Sequence, residues 1–286
     1  MSTMSTPRPE GRRGWLALLG GSGGTGPGQE ILRRFVHLAG GSQARLLVVP
    51  TASGEPLVTA EKWVNAFKMQ DVQSIDVLDI RTRDQADSTE CSRRLDDVTA
   101  VVITGGDQLR LLEIVGGTRF CSCLHDRWQD GLAVVGSSAG AMALGDPVIV
   151  RGEPEVFYLC DGVRTQPGLA VFEGITVDSH VVARGRMVRL LPVVAARPDV
   201  LGIGVDEDTA AFIGPDDALE VIGVGVVLVL DASKAGHRHV PRGRWDERLS
   251  IEGLHLHVLA APQRFSLHTR QFLPAGQSSG QRLEEV

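Results

Sequence analysis

Short apolar runs, each closed by glycine, proline or polar residues, punctuate the first half of the chain. They fall at 15–19, 46–49, 75–78, 100–104 and 132–135. Runs of this length, several rich in Val or Ile, predict strands buried on both faces. Between them the period changes. Ile31, Phe35 and Leu38 are spaced by four and three, which predicts a helix over 28–39 with one apolar face. The stretches 56–69, 109–115 and 118–129 have the same character, and Trp63, Phe67 and Met69 partly repeat the spacing. Strand and helix in alternation predict an α/β fold with a mostly parallel sheet covered on both faces. The second half is richer in strands: runs at 203–205, 210–213, 219–221, 224–230 and 254–259 predict a β-rich C-terminal extension. No repeat, linker or boundary divides the chain. Residues 14–275 therefore read as one domain, and the polar ends 1–13 and 276–286 as flexible tails.

Composition narrows the class. The 286 residues are 43% apolar and 22% charged, which is globular rather than disordered. Net charge is -6, and all 29 basic residues except Lys62, Lys68 and Lys234 are arginine. With no basic block, nucleic acid is not an expected partner. No run reaches the roughly 18 apolar residues of a membrane span. The apolar run after the Arg12-Arg13 pair is too short for a signal sequence, so a cytoplasmic protein is expected. Cys91, Cys121, Cys123 and Cys160 have neither zinc nor redox spacing and read as reduced thiols. His255 and His257 alternate on a strand and His237 and His239 share a polar loop. With no acidic or thiol partner nearby in sequence, they read as surface histidines. No metal and no cofactor is expected.

Ligand sites of open parallel sheets gather at the carboxyl ends of the strands. Four small-residue turns follow the predicted strands: 20–26, 50–53, 105–108 and 136–140. The last is the most informative. Gly136-Ser137-Ser138-Ala139-Gly140 has the G-x-S-x-G form of a nucleophile elbow, in which a buried strand, a sharp turn and a helix present a serine. The N–H of Ala139 at the helix start can point at an oxyanion. The glycine-rich turn at 20–26 lacks the G-x-G-x-x-G register and has no following Gly-Lys-Ser/Thr, so it predicts neither a dinucleotide nor a phosphate site. A serine nucleophile needs a base, and the base an orienter. His180 ends the apolar run 175–180 and precedes Arg184, Arg186 and Arg189, a placement suited to an anionic substrate. Asp206, Glu207 and Asp208 lie between two predicted strands, and one of them can orient His180.

The ordered set of these features resembles the cyanophycinase family of serine peptidases, relatives of the aspartyl dipeptidase peptidase E. It comprises Gly20-Gly21, 35–41, 50–53, 104–108, 136–141, Asp178 and His180 with the three arginines, and 202–210. The resemblance implies a three-layer α/β/α sandwich like the class I glutamine amidotransferases (flavodoxin-like), usually a homodimer. It implies Ser138 as nucleophile, His180 as general base and Glu207 as orienter, with oxyanion donors at Gly106 and Ala139. It assigns Gln108, Asp178, Arg184, Arg186 and Arg189 to the substrate pocket. The implied substrate is cyanophycin, a poly-aspartate backbone with arginine on each β-carboxyl, cleaved to β-Asp-Arg. Arginines would fork onto its carboxylates, and Asp178 would meet its guanidinium. Two departures stand out. Ser137 replaces a frequent threonine, and Asp178-Ser179-His180-Val181 replaces Asp-Gln-His-Phe, which removes an amide and a ring from the pocket wall. An aspartyl or isoaspartyl dipeptidase and a non-catalytic binding protein of the same fold are the alternative readings.

Overall fold

The computed structural model describes residues 13–21, 27–243 and 246–274. The predicted tails, apart from residue 13, and the turn residues 22–26 lie outside them. The first half alternates β1 (Leu16–Leu19), α1 (Pro27–Leu38), β2 (Arg45–Val49), α2 (Pro56–Lys68), β3 (Ser74–Val77) and the short α3 (Arg83–Ala86) and α4 (Thr89–Arg93). It continues through β4 (Ala100–Ile103), α5 (Gln108–Val115), α6 (Arg119–Gln129), β5 (Ala133–Ser137) and α7 (Ala139–Ala143). Next come a hairpin of β6 (Val148–Gly152) and β7 (Val163–Gln166), β8 (Ile175–Ser179), α8 (Met187–Ala196), β9 (Leu201–Val205), β10 (Thr209–Ile213), β11 (Ala218–Gly223) and β12 (Val226–Asp231). The chain closes with β13 (His237–His239), β14 (Ser250–Glu252), β15 (His255–Ala260), β16 (Arg264–Ser266) and β17 (Gln271–Leu273).

The large sheet runs β17-β16-β11-β10-β1-β5-β4-β2-β3. Its β1-β5-β4-β2-β3 half is parallel, as the apolar runs predict, and antiparallel strands extend it from β1. Alternate residues of the central strands serve two cores. Ala17, Leu19, Leu46, Val48, Val102 and Val135 pack on α1 and α2 with Phe35 and Phe67. Leu16, Leu18, Leu47, Val49, Val101 and Val134 pack on the opposite side with α6 residues Phe120, Leu124 and Trp128. Because both faces are covered, the strands carry no polar alternation. Burying one of the Val, Leu or Phe side chains stabilises the fold by roughly 1.5–3 kcal/mol.

The strand-rich second half does more than extend this sheet. β10 and β11 join it, while β15-β12-β9-β8 form a separate four-stranded sheet. Apolar runs of similar length carry no label for their partner, since pairing is set by non-local register. The helix α8 is also beyond what the pattern predicts. Its buried face comprises Arg189, Leu190, Val193, Val194 and Ala195, but Pro192 interrupts it and arginines crowd its start. Among the described residues, no helix is long and apolar enough to cross a membrane.

Register places the site. Leu19 on β1 pairs with Ser137 on β5 and with Ala210 on β10. Ser179 on β8 pairs with Val205 on β9. The turn 206–208, joining β9 to β10, therefore passes from one sheet to the other beside the ends of β1, β5 and β8.

Candidate active site

Ser138 occupies the turn between β5 and α7 with φ 51 and ψ -114, a conformation that costs a non-glycine residue about 1–3 kcal/mol. The surroundings enforce it. Ser138 N donates to Leu19 O at 2.8 Å, and Met142 N donates to Ser138 O at 3.0 Å. A Cβ on Gly136 would lie 2.6 Å from the backbone of Gly140 and Ala141, so the strand and the helix start meet only with glycine there. This is the geometry predicted for an elbow.

Ser138 Oγ and His180 Nε2 are 2.9 Å apart, and His180 Nδ1 and Glu207 Oε1 are 2.7 Å apart. His180 is buried, while 44% of the Glu207 side chain is exposed. Burial holds the His180 pKa below the ordinary imidazole value, the Glu207 hydrogen bond opposes that, and the charges of Arg184 and Arg186 reinforce it. The imidazole is therefore neutral at pH 7, with Nδ1–H assigned to Glu207 and Nε2 free to accept from Ser138.

The three acids of the turn do separate work. Glu207 reaches the histidine. Asp206 Oδ1 accepts from Val182 N at 3.2 Å and Ala183 N at 3.1 Å, which fixes the chain just after His180. Asp208 turns with φ 49, and its N–H donates to Gly21 O. Thr209 Oγ1 bridges Glu207 O and Gly225 N, steadying the turn from below. Two supporting residues lie within the recognised motifs, but their contacts are not legible there. Asp206 acts through an ordinary side-chain-to-backbone turn. Gly21, at φ 141, lies so close to the imidazole that a Cβ would sit 2.1 Å from His180 Cε1. Nothing local in sequence identifies that contact, because β1 and β8 belong to different sheets.

The 105–108 turn borders the serine: a Cβ on Gly105 would lie 3.9 Å from Ser138 Oγ. Gly106 has φ 148, and Asp107 caps α5 by accepting from Leu109 N at 2.8 Å. Ala139 is the first residue of α7, where the N–H has no carbonyl of its own helix to meet. Gln108 Nε2 donates to Ile149 O at 2.9 Å, tying α5 to β6.

The expected substrate-facing cations divide into two kinds. Arg184 is exposed and Arg186 half-buried, and neither guanidinium has a hydrogen-bond or ion-pair partner among the described residues. Burial lowers the Arg186 pKa, and the neighbouring charge of Arg189 adds to that. Arg189 is instead buried and forked onto Asp178, with Nε to Oδ2 at 2.8 Å and Nη2 to Oδ1 at 2.6 Å. Asp178 is 0% exposed. Burial pushes its carboxyl up, against the pull of Arg189. The structure thus pairs these two with each other, and the expected meeting of Asp178 with a substrate guanidinium has no open carboxylate behind it. Ser179, between Asp178 and His180, is fully buried, and its Oγ lies 3.5 Å from Ser138 Oγ. His237, His239, His255 and His257 lie on β13 and β15, outside this cluster.

A hydroxyl on a neutral imidazole held by a carboxylate can act as an activated nucleophile, and the helix start beside it can receive negative charge. The family model for "Peptidase family S51" matches residues 16–221. The cyanophycinase of Nostoc sp. (strain PCC 7120 / SAG 25.82 / UTEX 2576) is 35% identical over 268 residues, covering 93% of this chain and 90% of that protein. The cyanophycinase of Trichormus variabilis (strain ATCC 29413 / PCC 7937) has the same identity and coverage. Among solved structures, a peptidase from an acI-B1 Actinobacterium superposes with a TM-score of 0.60 at 22% identity, covering 87% of this chain and 97% of that one, a likeness of fold.

Proposed function

The chain belongs to peptidase family S51, the serine-type peptidases, and from that premise we propose that it degrades cyanophycin, releasing β-Asp-Arg dipeptides through Ser138, His180 and Glu207. The observation that carries this reading is the hydrogen-bonded chain Ser138–His180–Glu207, in a protein 35% identical to cyanophycinases over nearly all its length.

In the proposed reaction Ser138 Oγ attacks the backbone carbonyl carbon while His180 Nε2 takes its proton. Glu207 stabilises the imidazolium so formed through the Nδ1–H bond. The N–H groups of Gly106 and Ala139 receive the oxyanion. Collapse of the tetrahedral intermediate passes the proton from His180 to the leaving amine and leaves an acyl-serine. Water, deprotonated by His180, then releases the acid and restores Ser138. Arg184 and Arg186 hold substrate carboxylates, and the Asp178–Arg189 pair supports the wall behind them. Charge stabilisation comes from protein donors, and the proposed steps call on no cofactor.

The test is direct. Purified protein is incubated with cyanophycin and the products are read by mass spectrometry; β-Asp-Arg is the expected product. Cleavage of Asp-Leu-type dipeptides with no release from the polymer would overturn the reading in favour of an aspartyl dipeptidase. A homodimer in the cytoplasm belongs to the same proposal, checked by light scattering and by cell fractionation.

A further inference from the structure

A β-linked arginine carries two charges, a carboxylate and a guanidinium. Arg184 and Arg186 offer cations to the first. The second needs an acid, and Asp178 is closed, since both its oxygens are taken by Arg189. The same guanidinium holds the backbone next to another acid. Arg189 Nη1 donates to Gly152 O at 2.9 Å and so fixes the last residue of β6 beside the end of β8. The other link is Gln108 Nε2 to Ile149 O at 2.9 Å. β6 is thereby pinned to the first turns of α5 and α8, the two helices that open at the site.

The residue that follows Gly152 is Glu153. It is exposed, and its carboxylate has no hydrogen-bond or ion-pair partner among the described residues. Its negative charge works weakly against the lowering of the Arg186 pKa by burial. Arg186 opens α8 three residues before Arg189, whose Nη1 holds Gly152 O, and Glu153 follows that glycine, so among the described residues an unpaired cation and an unpaired anion lie on two segments that Arg189 joins. One unpaired cation and one unpaired anion match in sign the two charges of a β-linked arginine.

We propose that Glu153 is a specificity-determining residue that receives the guanidinium of the β-linked arginine while Arg186 holds its carboxylate. The inference rests on the cyanophycin reading and deepens it. Glu153 takes no part in the bond-breaking steps. Its role is to favour arginine over an uncharged side chain of the same shape.

Two short β-aspartyl peptides test this, one bearing β-linked arginine and one β-linked citrulline, which keeps the carboxylate and shape but loses the positive charge. The wild-type protein should prefer the arginine peptide by about tenfold in kcat/KM, the size of one charge-assisted hydrogen bond. Glu153→Gln should bring the two peptides level, chiefly by raising KM for the arginine peptide. Glu153→Lys should favour citrulline. Glu155→Gln, at another exposed acid of the same loop, should keep the wild-type ratio. Wild-type urea unfolding of Glu153→Gln reports that the variant is folded. A wild-type ratio in Glu153→Gln, or an equal loss on both peptides, would overturn the assignment to Glu153 alone. A wild-type protein that cleaves neither peptide would overturn the parent reading and this inference with it.

Discussion

Asp178 and His180 flank Ser179 where β8 ends, and each meets an opposite partner at nearly the same distance: Arg189 at 2.6 Å and Glu207 at 2.7 Å. Their surroundings differ. Asp178 is sealed, its partner is buried too, and the guanidinium spends its remaining reach on Gly152 O. His180 is buried at its ring, but its partner Glu207 is half in water and its other nitrogen faces Ser138. A closed ion pair whose donors and acceptors are satisfied internally supports structure. A pair with one open nitrogen, kept neutral by burial, can take and return a proton. Two positions along the chain where β8 ends separate these roles, so a charge's place in sequence does not by itself assign it to substrate binding.

The widest gap between the two pairs should appear in His180→Ala. Loss of the base should lower kcat/KM on the order of a million-fold, with little change in urea stability. Glu207→Gln should follow, at about a hundred- to ten-thousand-fold, because the base loses its orienter but remains in place. Equal, mild losses from both variants would break the proposed relay. On the other side of the comparison, Asp178→Ala leaves Arg189 charged and unpartnered in the interior. Urea unfolding should report a loss of about 3–5 kcal/mol. If that variant keeps full stability and only KM rises, the pair is a substrate contact after all.

The smallest effect concerns pH. The base must be neutral, so kcat/KM should fall as pH drops through the His180 pKa, which burial holds below the ordinary 6.5. Arg184 adds to that depression by disfavouring a second cation. Arg184→Gln should therefore move the acid limb of the profile to higher pH, and a limb that stays put would show that the arginine is not felt at the ring.

Much of this is legible in the sequence. The runs at 100–104 and 132–135 became β4 and β5, because strands covered on both faces leave unbroken apolar runs. Ser138 stood out because a tight strand-to-helix turn needs glycine at close backbone contacts. What stayed hidden depends on contacts between distant segments. The split of the later strands into two sheets is set by register. The β6–β7 hairpin has Arg151 and Glu153 at its turn end and little alternation to reveal it. Asp178 and Arg189 read as pocket residues because a charge in sequence does not disclose that its partner is already at hand. Gly21 belonged to a recognisable motif, yet its contact with the His180 ring joins elements of separate sheets.

The central claim is that Ser138 is the nucleophile of a cyanophycin-cleaving peptidase. Its most direct test is the release of β-Asp-Arg from cyanophycin by wild-type protein and by Ser138→Ala at equal concentration, followed by mass spectrometry. The account predicts steady release by the wild type and a loss of several orders of magnitude in the variant, with only the oxyanion donors and binding left to act. Undiminished release by Ser138→Ala would contradict it.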